Sequence, residues 1–181
     1  DRPAFLGSLL FIVTMTFAAL AQAASPVDDS PEATISLGER IHGSFGTYVA
    51  LGVRLGRDAV TRLSAHPGIL EVTVFQGPAS PCPCIADGLM IATGATPGRG
   101  TLRVAMQSAS ADQFAVVIVR DRETERILRY EIPDALRARL DEWNRIPDAA
   151  GRYRVVMEAA ADALFEWSFV EATANGAGQV H

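Results

Sequence analysis

The chain has 181 residues, 49 % hydrophobic, 20 % charged and 7 % aromatic, the make-up of one packed domain, which excludes a fibre, a coiled coil or a disordered tail. The formal net charge is −5, and all 16 basic residues are arginine. With no basic block to neutralise phosphates, nucleic acid and anionic membrane surfaces are disfavoured as partners, and without lysine neither Schiff-base nor P-loop chemistry is available.

The uncharged run from Phe5 to Leu20 ends at Ala21-Gln22-Ala23, a small-x-small cleavage signature, so residues 1–23 are expected to be a secretory signal peptide. Its 16 apolar-run residues fall short of the roughly 20 a membrane-spanning helix needs; an uncleaved anchor is the alternative. Removing 23 residues leaves 158 of the 181, with a periplasmic or secreted location and no membrane attachment. Residues 24–36, small, polar and proline-bearing, read as a linker. Residues 37–170 form the domain, and residues 171–181 a flexible tail.

From Leu37 to Leu63 apolar residues recur every three or four positions, the spacing of a helix, with a bend expected at His42–Gly46 because two glycines fall there. Gly52 and Gly56 offer a smooth flank for close packing. A strand is expected over Ile69–Phe75, then a loop, then a short helix opening at Pro83 and ending near Thr93 with Gly94 as its cap. Strands follow at Thr101–Gln107, Gln113–Asp121 and Arg126–Glu131, the last two as a hairpin. Val116–Val119 is apolar at every position, which predicts a central strand in a sheet covered on both sides. Pro133 is read as opening a helix to Asn144, and Asp148 as capping another that runs to near Phe169. The fold class is α+β.

Cys82 and Cys84 are the only two cysteines. Separated by one residue, they are a poor structural staple, because the loop they could close is tiny. Cys84, in the first turn of a helix, sits where the dipole favours a thiolate. It is therefore a candidate metal ligand or redox sulfur, or else an inert buried cysteine. Gly94–Gly100 (GATPGRG) reads either as an anion cradle with Arg99 as its fork or as a tight turn. It is not a Walker motif, and no Gly-x-Ser-x-Gly elbow occurs.

Three stretches together resemble the FmdE family of formylmethanofuran dehydrogenase proteins. The first is Ile41-His42-Gly43-Ser44-Phe45-Gly46, and the second Val49–Gly56. The third runs from Cys84 through Asp87, Thr93, Gly94, Thr96 and Arg99 to Gly100. Ser44 stands where the family carries a second histidine, Ala95 where it carries a second cysteine, and Arg99 where it carries lysine. The resemblance implies an α-β-α-β-β-β core, a mixed sheet also met in domains of glyceraldehyde-phosphate dehydrogenase, with C-terminal helices packed on it. It further implies a pocket holding a divalent metal, zinc, through His42, Cys84 and Asp87, with Thr93, Gly94, Thr96 and Arg99 as ligand-binding residues. Of the family's metal positions only those three survive, against the three or four ligands zinc takes.

The leading expectation is an exported accessory or binding protein for a metal or small anionic ligand; no catalytic residue is assigned. A thiol redox module using Cys82 and Cys84 is the second reading. A degenerate family member that acts by pairing with a partner is the third, and a homodimer is among the expected assemblies.

Overall fold

The computed structural model describes residues 28–171. The expected signal peptide and most of the expected tail lie outside the described residues. Five helices, α1 (Pro31–His42), α2 (Thr47–Leu63), α3 (Cys84–Thr93), α4 (Leu136–Trp143) and α5 (Ala149–Glu158), accompany five strands. These are β1 (Leu70–Gln76), β2 (Leu102–Val104), β3 (Gln113–Asp121), β4 (Ile127–Pro133) and β5 (Glu166–Val170). They form one mixed sheet in the order β2-β1-β3-β4-β5. β2 runs parallel to β1 through the α3 crossover, and all other pairs are antiparallel. The α+β class and the α-β-α-β-β-β order from α2 to β4 are as expected.

The core lies between one face of the sheet and the helices. Leu70, Val72 and Val74 of β1, Ala115, Val117 and Val119 of β3, and Leu128, Tyr130 and Ile132 of β4 point into it with α2 residues Leu51, Leu55 and Leu63. Tyr130 donates to Asp58 Oδ2 of α2 at 2.8 Å, and burial followed by this carboxylate contact pushes its phenol above the ordinary value. Among the described residues only one face of the sheet is covered, not both as Val116–Val119 suggested. Val116 is buried, but Ile118 and Arg120 on the same face are half-exposed. β-branched residues here satisfy strand preference on an open face, which periodicity alone does not distinguish from burial.

The tightest packing is between α2 and α3. A Cβ on Gly52 would collide with the Ile85 carbonyl oxygen, and one on Gly88 with that of Val49. The two backbones cross with no room for a methyl group.

Three expected boundaries differ. The 24–36 linker is helical from Pro31, because Ser30 caps α1, its side chain accepting from Ala33 N at 3.2 Å, with Pro31 at the first helical position. Pro133 closes β4 instead of opening a helix, and α4 starts at Leu136. The last helix stops at Glu158; the chain turns through a short 3₁₀ segment at Ala161–Ala163 and enters β5, a strand the helical spacing concealed. Asp148 does cap α5, accepting from Gly151 N at 2.6 Å.

Candidate functional site

His42 is the last residue of α1. Gly43 follows with φ 88°, a left-handed backbone that favours glycine, and its N–H closes the helix on the Glu39 carbonyl at 2.9 Å. The bend before α2 is held from the far end of the chain. Arg152 Nε donates to the Phe45 carbonyl at 2.8 Å, and Thr47 N donates to Asn144 Oδ1 at 3.1 Å. Phe45 is buried against Tyr153, the ring centroids 6.0 Å apart.

This bend brings His42 onto α3. His42 Nδ1 donates to Asp87 Oδ2 at 2.7 Å, both side chains half-buried. A carboxylate on Nδ1 fixes the imidazole orientation and leaves Nε2 as the working nitrogen. Asp87 stands three residues after Cys84, so the two share one flank of α3 about one turn apart. Cys84 is the first residue of α3 and is bonded to Cys82, the Cα atoms 5.3 Å apart. Cys84 is buried and Cys82 half-buried.

The residues expected at the other half of the pocket are at the opposite end of α3. Nine helical steps separate Cys84 from Thr93, about 13 Å. There the polar groups serve the turn itself. Thr93 Oγ1 donates to the Leu89 carbonyl at 2.7 Å and accepts from Ala95 N at 3.2 Å. Gly94 caps α3 with φ 67°, and Thr96 Oγ1 accepts from Arg99 N at 3.3 Å. The Arg99 guanidinium donates to the carbonyls of Gly68 at 2.8 Å and Gly94 at 3.4 Å. One pocket around His42, Cys84, Asp87, Thr93 and Arg99 is therefore not what the fold builds. A sequence reading joins residues by motif, but a ten-residue helix holds the two groups apart.

With Cys84 bonded to Cys82 and Asp87 engaged by His42, the residues as arranged do not fit a zinc site, which takes three or four nitrogen, sulfur or oxygen donors. Among the described residues no group of three or more His, Cys, Asp or Glu is placed to hold a metal ion.

Sequence reasoning missed Arg57. It borders a groove of about 540 Å³ lined also by Val60, Pro67, Ile91 and Gly94. Its guanidinium donates to Tyr153 Oη at 2.6 Å, Thr34 Oγ1 at 2.9 Å and the Asp29 carbonyl at 3.0 Å. Those bonds tie α2 to α5 and to the start of α1, which makes Arg57 a structural clasp. No local motif marks it, since its partners lie 23 or more positions away in the sequence.

The class these features define is a small α+β domain with helices on one face of a mixed sheet and a cysteine pair at a helix start beside a His–Asp couple. Residues 41–173 match the family model described as FmdE, molybdenum formylmethanofuran dehydrogenase operon, and the chain belongs to that family. A search of curated proteins found no match. The matched region opens one residue before His42 and runs past β5, so the missed strand belongs to the family domain.

Proposed function

We propose that this FmdE-family domain is an exported thiol–disulfide module in which Cys82 and Cys84 exchange with a dithiol partner. The observation that carries the reading is the bonded cysteine pair at the start of α3, one turn before Asp87, the carboxylate that orients the His42 imidazole. A bond between residues two positions apart adds little to fold stability, so its chemistry is the better account of its presence.

In the exchange a partner thiolate attacks the Sγ of Cys82, the more exposed of the two residues. The Cys82–Cys84 bond breaks, and Cys84 leaves as a thiolate stabilised by the N-terminus of α3. The partner's second thiol, once deprotonated, attacks the mixed disulfide and expels Cys82. The partner is oxidised to a disulfide and the pair takes up two electrons and two protons. An imidazole held through Nδ1 is suited to passing one of those protons through Nε2.

The test is a titration in glutathione buffers with alkylated thiols counted by mass. Both thiols are expected to appear together in one two-electron transition, and His42→Ala is expected to slow exchange on the order of a hundredfold while leaving the midpoint in place. Two thiols that stay free under oxidising conditions would falsify the reading.

Reduction also frees Cys84 one turn from Asp87, and this supports a second reading, in which a divalent metal taken up by the reduced chain displaces the His42–Asp87 hydrogen bond and is held by His42, Cys84 and Asp87. Zinc added to reduced protein is then bound stoichiometrically, and lost in His42→Ala and Cys84→Ala but kept in Ser44→Ala. Reduced protein that takes up no zinc removes this second reading and leaves the first intact.

A further inference from the structure

The His42–Asp87 couple cannot hold itself in place. Its side chains are 25 % and 34 % exposed, and a pair so open to water contributes too little to fix how one helix approaches another. The placing of the imidazole must come from the chain that follows it, the bend between α1 and α2. Gly46 gives α2 no side-chain cap, and Ser44 is exposed. The polar contacts that fix the bend arrive from the turn between α4 and α5. Asn144, which ends α4, stands in for the missing cap by accepting from Thr47 N at 3.1 Å, and the Thr47 hydroxyl donates to the Leu140 carbonyl at 2.9 Å. Arg152 of α5 donates through Nε to the Phe45 carbonyl at 2.8 Å and through Nη1 to the carbonyls of Ile146 at 2.6 Å and Pro147 at 3.1 Å, so one guanidinium ties the bend to the turn.

We infer that Asn144 and Arg152 are positioning residues for the His42 imidazole, acting through the bend. Phe45 carries the effect. With its carbonyl held by Arg152, its ring fills the hollow over Gly38, where an added Cβ would come within 2.4 Å of the ring. Gly38 stands four residues before His42, on the same flank of α1. The contacts therefore run from the α4–α5 turn through Phe45 to α1 and its last residue, and they set the ring where Nδ1 meets Asp87. A reacting group oriented in this way depends on a shell of residues that never touch it. That His42 is the working imidazole rests on the proposed function; how the ring is held does not.

The tautomer of His42 is the readout, since loss of stability alone does not move it. A ring that donates from Nδ1 to Asp87 keeps its proton there, whereas a released imidazole prefers it on Nε2, and the NMR shifts of the ring nitrogens separate the two. The full chain is labelled at histidine and measured in metal-free buffer at about pH 9, where an ordinary imidazole is neutral. The signal lost in His42→Gln identifies the ring, and Asp87→Ala sets the released limit. Arg152→Met and Asn144→Leu are each expected to lower the ratio of Nδ1–H to Nε2–H about fivefold, the weight of an exposed pair. Asn144→Asp, which keeps the accepting oxygen, is expected to leave the ratio as in the wild type. So is Asp121→Ala, which strands donors in the β3–β4 hairpin. An unmoved ratio in Arg152→Met and Asn144→Leu overturns the inference, as does an equal fall in Asp121→Ala, which would reduce the effect to general loosening. If Arg152→Met does not fold, the two Asn144 variants decide. Glutathione exchange on the same proteins separates this inference from the proposed function: a lowered ratio with exchange at the wild-type rate upholds the positioning and removes His42 from the exchange.

Discussion

Asp121, at the end of β3, is 2 % exposed, and its carboxylate shapes the hairpin to β4. It accepts from Glu123 N at 2.8 Å, from Thr124 N at 3.3 Å and from the Thr124 hydroxyl at 2.7 Å. Burial alone would raise its pKa, but these bonds outweigh burial and hold the carboxyl below the ordinary 3.8. Its contribution to stability is therefore full above that value and is lost as pH falls from there through the lower folded value. Asp121→Ala is expected to cost about 2 kcal/mol near neutrality by stranding those donors, read by urea denaturation. The wild-type advantage should shrink with acid below the ordinary value. His42 and Asp87, half-exposed, belong to a different regime: a pair so placed is worth little to stability, so its retention is argued from chemistry. Both residues were identifiable in the sequence as members of a motif. Their bond was not, because it depends on the bend that Arg152 and Asn144 hold from more than 90 positions away.

At the scale of elements, the α2–α3 crossing is the most demanding contact. Gly52→Ala would drive a methyl group into the Ile85 backbone, which cannot move aside as a side chain would. A loss of about 3 kcal/mol is expected, measured by denaturant midpoint, whereas Gly98→Ala, with no atom within 4 Å of the added carbon, should be near neutral. The smooth glycine flank of α2 was legible from its one-turn spacing, although its mate, Gly88, was not singled out. α1 and β5 were the misread elements, for opposite reasons. Ser30-Pro31-Glu32 is a helix start hidden in a stretch whose small polar composition suggested a linker. Trp167 and Phe169 alternate with polar neighbours as a strand does, but the alanine-rich run before them extended the helical pattern too far. β2 shrank to three residues because it is an edge strand held on one side by β1.

The described residues form a sheet with helices packed on one face and none on the other, and the composition had concealed that asymmetry. Among the described residues no helix is long and apolar enough to cross a membrane. The α+β class and the order of the central elements could be read from periodicity, turns and caps, all local signals. The relation of the site halves could not, since it is set by the length of α3. Replacing both cysteines with serine is expected to cost no more than about 2 kcal/mol, seen as a small fall in thermal midpoint with an unchanged spectrum. A larger loss would mean that the bond braces the start of α3 and is structural after all. The Cys82–Cys84 bond has a consequence for how the protein is made. Because the partners are sequence neighbours, the link can close while the chain is still unfolded, without a template and with no other cysteine to mispair with. Oxidation and folding are thus separable events.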